Sequence, residues 1–365
     1  MIAELWRELE QTSVVLTAER RMGKTCVVKK MHRESPGPTT FFQDLERVHT
    51  ALEFVEEVLR HVRDQLSKGK KAALKFQDVL KAVGGTEVGG VLTLPEGAQP
   101  QWKALLVSVV DDLMVQQTGA VVFFWDEFPQ MLHNVAKDKP GDAMEILDTL
   151  RSLRQHHERL RMVLTGSIGL HTVLHLLQRR GHRSAPKNDM VSITLPPLAR
   201  ADAEALALAL LRGESIQAEE PEAVASDVAV EAGYIPFYIH QVVGEMRGRE
   251  AVVVGTARTL VDQGLTAPHD PWGLRHYRVR LDHDYEDEER VYALAVLHAL
   301  SLSDAPLGFP ELMARVKAQP GVVDEERART VLNLLQQDHY LVRENGRYSF
   351  RTPLIGRWWR RYHHE

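Results

Sequence analysis

Ala18-Glu19-Arg20-Arg21-Met22-Gly23-Lys24-Thr25 stands between the apolar run Ser13-Val14-Val15-Leu16 and the helix-like stretch Cys26-Val27-Val28-Lys29-Lys30. A buried strand, a glycine-bearing loop and a helix start follow one another here, which is the order of a phosphate-binding loop. Such a loop turns backbone N–H groups and the positive end of a helix dipole toward the dense negative charge of β- and γ-phosphates. In this reading Lys24 reaches the β/γ oxygens and the Thr25 hydroxyl ligates Mg²⁺. Ala18, Glu19, Arg20, Arg21, Met22, Gly23 and Cys26 complete the nucleotide-binding stretch. Ala18 stands where the pattern carries its first glycine, a place alanine fills if its φ stays negative. The competing reading is a Gly-Lys-Thr that only opens a helix, and the strand before it makes that the weaker one. Arg20 and Arg21 fit a structural or phosphate-adjacent role better than a finger reaching into a neighbouring subunit. Cys26 has no histidine partner motif and reads as a small packing residue.

A second motif supports the first. Ala120-Val121-Val122-Phe123-Phe124-Trp125 is continuously apolar, as a central parallel strand covered on both faces must be, and it ends in Asp126-Glu127. Open α/β sheets bind ligands outside the C-terminal ends of their strands. Asp126 is placed to hold the Mg²⁺ shell and Glu127 to orient and deprotonate an attacking water. A helix cap after a strand would explain one acid but not its pairing with an upstream phosphate loop. The two motifs together point to ATP or GTP binding, and the second acid points to hydrolysis.

With 365 residues, 44% hydrophobic and 26% charged, the chain is long enough for two or three domains. A formal net charge of −5 argues against a globally basic nucleic-acid coat. No apolar run approaches the roughly 20 residues a membrane helix needs, and the N-terminus lacks a signal segment. The single cysteine leaves no internal disulfide and fits a reducing, cytoplasmic setting.

Further strands are expected at Thr39–Asp44, over 161–167 and over 191–195, with helices between them. Five strands alternating with helices call for a parallel α/β sheet. A long amphipathic helix is expected over 45–66, and the glycine-rich stretch 83–100 reads as a loop on the rim of the core. From Ala199 to about Gly264 the chain is helical and rich in alanine and leucine, punctuated by Gly233-Tyr234-Ile235-Pro236-Phe237-Tyr238. The acidic stretch 282–289 reads as a solvated helix start. Three helices then precede two strand-like runs joined by Asn345-Gly346, a hairpin signal. Three short helices and a two-stranded wing describe a winged-helix domain.

At this point the chain resembles the archaeal-type ATPases of the STAND branch of AAA-like P-loop NTPases. The resemblance rests on Arg20-Arg21-x-Gly23-Lys24-Thr25, Trp125-Asp126-Glu127-Phe128, Gly166-Ser167, Leu195-Pro196-Pro197-Leu198, Gly233-x-x-Pro236-Phe237-Tyr238 and Tyr348-x-Phe350-Arg351-x-Pro353-Leu354. It implies an α/β P-loop core with strand order 5-1-4-3-2 over 1–197, a helical lid over 198–275 and a winged helix over 276–365. It further implies that Ser167 or Thr165 senses the γ-phosphate and that Gly233 and Pro236 contact the nucleotide. Catalysis is then assigned to Glu127, Lys24 and Ser167, with Thr25 and Asp126 as metal ligands. ATP and Mg²⁺ would lie between core and lid, turnover would be slow, and a protein partner encoded nearby would read the nucleotide state. Oligomeric state stays open.

The runner-up is a DNA-binding winged helix governed by the ATPase core, with Arg357, Arg360 and Arg361 on phosphates. Against it, the helix Glu325–Gln337 offers a poor surface for a major groove. Trp358 and Trp359 are expected to pack inside the domain. His171 and His175 have the i, i+4 spacing of metal ligands, yet without a neighbouring carboxylate or cysteine they read as packing or surface residues.

Overall fold

A computed structural model describes residues 1–68, 86–88, 91–93, 102–182, 184–319 and 324–362. The chain divides into two compact units, the first formed by Met1–Ala18 with Lys24–Leu195 and the second by Glu19–Gly23 with Pro196–Glu365.

The first unit is built on five parallel strands: β1 (Ser13–Thr17), β2 (Thr39–Asp44), β3 (Val121–Asp126), β4 (Leu160–Thr165) and β5 (Met190–Thr194). Their spatial order is β2-β3-β4-β1-β5. β1, inserted between β4 and β5, therefore delivers its C-terminal end next to that of β4, with β3 and β4 separating it from β2. The helices are α1 (Ile2–Gln11), α2 (Lys24–Arg33), α3 (Ala51–Lys68), α4 (Trp102–Gln116), α5 (Phe128–Asp138), α6 (Pro140–His156) and α7 (Leu170–Arg179). All six residues of β3 are buried, in line with its unbroken apolar sequence. Two of its aromatic side chains stack with the first residue of α5, Phe123 and Phe128 flanking Trp125 at centroid distances of 5.2 and 5.7 Å. The one polar requirement of that stack is met inside it, since the Trp125 indole N–H donates to Gln43 Oε1 and Gln43 Nε2 donates to the Glu57 carbonyl at 2.8 Å. Buried polar groups left without such partners would cost about 1–3 kcal/mol each.

Three expectations shift. The helix expected over 45–66 begins only at Ala51, because Thr50 and Glu53 form a capping box: Glu53 N donates to Thr50 Oγ1 at 3.1 Å and Thr50 N to Glu53 Oε2 at 3.3 Å. Within the glycine-rich stretch 83–100, Thr86–Val88 pairs antiparallel with Val91–Thr93, and the rest of that stretch lies outside the described residues. The N-terminus, given no element by the sequence reading, is the helix α1, whose Leu5 and Leu9 are buried.

The second unit is mostly helical, with α8 (Arg200–Gly213), α9 (Pro221–Glu231), α10 (Pro236–Met246), α11 (Thr256–Thr266), α12 (Arg275–Asp284), α13 (Asp287–Ser301), α14 (Phe309–Lys317), α15 (Glu325–Gln337) and α16 (Pro353–Tyr362). Strands β6 (Leu307–Gly308), β7 (Leu341–Glu344) and β8 (Arg347–Phe350) form an antiparallel sheet in the order β6-β8-β7. Asn345 and Gly346 turn β7 into β8 with φ of 49° and 79°, the two left-handed residues that a two-residue hairpin with native twist requires. The acidic stretch 282–289 is not one solvated helix start. It closes α12, buries Tyr285 and opens α13 with a Glu286–Glu289 capping box. Arg280 lies half-buried between Asp338 (2.9 Å) and Asp284 (3.2 Å), and these carboxylates hold its guanidinium further toward the charged form against the opposing effect of desolvation. Among the described residues no helix is long and apolar enough to cross a membrane.

Candidate functional site

The candidate site grows from the C-terminal ends of β1, β3 and β4. β1 stops at Thr17 and α2 starts at Lys24, leaving Ala18–Gly23 as the connection. Left-handed backbone occurs at Arg21 (φ 70°) and Gly23 (φ 89°), while Ala18 stays outside that region, so the alanine meets the condition set for it. The conformational strain falls on Arg21, where a side chain in this region costs about 1–2 kcal/mol. Lys24 is buried and its Nζ donates to the Ala18 carbonyl at 2.8 Å. The Thr25 hydroxyl donates to Asp126 Oδ2 at 2.6 Å, so the two residues expected to share a metal ion lie side by side although 101 positions apart.

Glu127 follows β3 with φ 54° and ψ 26°, a left-handed residue immediately before α5. This conformation carries its carboxylate back toward the end of β4, where Oε2 accepts from both Ser167 N and Ser167 Oγ at 2.8 Å. Gly166 makes the approach feasible. A Cβ there would lie 2.8 Å from Pro129 Cδ and 3.3 Å from Glu127 Oε2, too close for any side chain. Burial pushes the Glu127 carboxyl above its ordinary value, and the Asp126 charge adds to this, whereas the Ser167 bonds and the Lys24 charge act in the opposite sense. Thr165, the other sensor candidate, is buried at the end of β4 with no hydrogen-bond partner for its hydroxyl among the described residues. The sequence reading named Ser167 but missed its partner and missed the reason for Gly166, because both depend on where β3 and β4 end in space.

Within the second unit, the segment Glu19–Gly23 is held by side chains of α10 and α12 and by a backbone carbonyl of the turn before α12. The Tyr277 hydroxyl donates to Glu19 Oε1, and Arg21 donates to the Trp272 carbonyl while lying 4.0 Å above the Phe237 ring. Met22 is buried and Arg20 exposed. Gly233 and Tyr234 are both left-handed (φ 62° and 61°), and Pro236 occupies the first turn of α10.

One reading is corrected: Cys26 is exposed on α2 and is no packing residue, since the buried face of that helix runs through Lys24, Val28 and Met31. Trp358 and Trp359 are buried as expected. The arginines of α16 are engaged in the chain itself. Arg357 pairs with Glu231 (2.5 Å) and Asp262 (2.7 Å), Arg361 with Asp262 (2.6 Å) and Arg360 with Asp304 (2.9 Å). His171 and His175 belong to no group of three metal-ligating side chains among the described residues.

The model of the AAA domain family matches residues 7–174 of the chain. The Walker-type ATPase PABY2304 of Pyrococcus abyssi is similar in structure, with a TM-score of 0.62 and 14% identity over 98% of this chain and 94% of that one. The Aeropyrum pernix ORC2 protein in its ADPNP–ADP complexes aligns with a TM-score of 0.49 and 14% identity over 100% of this chain and 92% of that one. No curated protein matches the chain. The likeness to the Pyrococcus abyssi protein is one of fold and extends along nearly the whole chain.

Proposed function

We propose that the protein is a magnesium-dependent ATPase that acts as a slow nucleotide switch, with Lys24, Thr25, Asp126, Glu127 and Ser167 as its working residues. The observation that carries this reading is the meeting of Thr25, Asp126, Glu127 and Ser167 at adjacent strand ends. A hydroxyl and a carboxylate oxygen 2.6 Å apart are hard donors that fit a magnesium ion. Bound there, magnesium would supply charge neutralisation across the β- and γ-phosphate oxygens.

The remaining work falls to the chain. Lys24 exchanges its present acceptor, the Ala18 carbonyl, for phosphate oxygens, and the N–H groups at the start of α2 face the same charge. Ser167 occupies Glu127 Oε2 twice over, which fixes the carboxylate plane and leaves Oε1 to take a proton from water. A carboxyl raised by burial is the better base for that step near neutral pH. We read α13–α15 with β6–β8 as a winged helix and the helices before them as a lid, which together report nucleotide state to a protein partner.

ATP turnover and nucleotide affinity of Lys24→Ala and Glu127→Gln test the assignment. Glu127→Gln should bind ATP and lose turnover by 10²-fold or more, and Lys24→Ala should lose both. Unchanged turnover in the two variants would remove the proposal. The DNA-binding alternative draws its charge from Arg357, Arg360 and Arg361, whose guanidinium groups are already paired with Glu231, Asp262 and Asp304.

A further inference from the structure

At the opposite edge of the first unit, Asp111, His156 and His157 bring three metal-ligating atoms within 4.8 Å of one another. We propose that they form a divalent transition-metal site of zinc type, separate from the nucleotide site. Zinc ligated at about 2.0–2.2 Å in a tetrahedron needs its donors about 3.3–3.5 Å apart.

The backbone explains how adjacent histidines share one point. On a continuing helix their side chains would diverge by 100°. His156 is the last residue of α6, however, and His157 is already extended, with φ −112° and ψ 95°. The ring centroids consequently lie 4.7 Å apart at an interplanar angle of 81°. The His157 backbone is pinned on both sides: its N–H donates to the Leu153 carbonyl at 3.0 Å and its carbonyl accepts from Leu160 N at 2.9 Å. Asp111 on α4 supplies the third donor, its Oδ1 lying 2.7 Å from His157 Nε2. Asp111 and His157 now share a hydrogen bond, which the ion would replace by drawing its two atoms apart to the spacing of zinc donors, with the exposed His156 ring beside them as the third ligand.

The donor set selects the ion. Two imidazoles and one carboxylate suit zinc and its neighbours, whereas magnesium and calcium prefer oxygen alone. Three protein ligands leave the fourth position to water. The site precedes β4, while Ser167 follows the other end of that strand. The six residues of β4 therefore lie between the two, about 17 Å of extended chain. A metal there would tie α4 to the α6–β4 turn without touching the phosphate-binding residues.

The test uses the full chain freed of metal with a chelator and kept without nucleotide. Cobalt(II) is titrated in and followed by the visible bands of the four-coordinate ion, and zinc displaces it under calorimetry. One equivalent of tight binding is expected, weakened at least tenfold in each of His156→Ala, His157→Ala and Asp111→Asn, with zinc raising Tm in the unaltered protein only. Asp111→Asn keeps a hydrogen-bonding oxygen beside His157, so its fold is preserved, which far-UV circular dichroism checks. Absence of a one-equivalent site, or binding equally tight in all three variants and so held adventitiously by other side chains, overturns the proposal.

Discussion

Glu127 shows how much chemistry a single backbone dihedral can direct. Were it extended like the strand before it, its carboxylate would not meet Ser167; at φ 54° it does. Ser167→Ala removes the Oγ bond and keeps the backbone one, so turnover should fall by about 10-fold. The same change removes an interaction that lowers the Glu127 pKa, so the acid limb of the turnover profile should move to higher pH. An unshifted limb would show that Ser167 does not act through Glu127. Gly166→Ala forces a Cβ to within 2.8 Å of Pro129, for which overpacking of about 1–3 kcal/mol is expected in a denaturant melt, together with lost turnover. Lys24, Thr25 and Asp126 were legible in the sequence because loop, strand and acid each carry a local signature. Gly166 was not, because its need arises from a proline 37 positions away.

Among the elements, legibility followed periodicity and failed at boundaries. The unbroken apolar run of β3 and the Asn345-Gly346 turn were readable because each is decided by a few adjacent residues. The start of α3 was misplaced because the apolar pattern of 45–50 continues into the helix while its backbone does not. Thr50 and Glu53 settle the boundary by satisfying each other's N–H groups. Thr50→Ala should therefore cost about 1 kcal/mol, read as a lowered denaturation midpoint at constant slope. Cys26 was misjudged because small apolar side chains near a helix start suit the core and the surface equally, and only the neighbouring strand decides.

For the molecule as a whole, the second unit makes stability depend on pH. His276 is half-buried beside Gly273, and this desolvation, joined by the charges of Arg20, Arg280 and Arg21, holds its imidazole down at about 4 against an ordinary value of 6.5. As pH falls below 6.5 the unfolded chain gains a proton that the folded chain refuses, so stability is lost progressively down to about 4. The full loss approaches roughly 3 kcal/mol, at 1.36 kcal/mol per pKa unit. Thermal melts between those pH values should show the slope in the unaltered protein and a shallower one in His276→Gln. An equal slope in both would place the dependence elsewhere. This feature was invisible in the sequence, where His276 is one of 17 histidines and nothing local marks its desolvation.

The exposed thiol of Cys26 is the sole cysteine in 365 residues and stands two positions after Lys24. It gives the native chain a built-in chemical reporter. A maleimide or an environment-sensitive dye attaches at one place only, on the first turn of the helix that would face the phosphates. Labelling that ATP slows, and that itself abolishes turnover, would time the occupancy of this loop without any engineered residue.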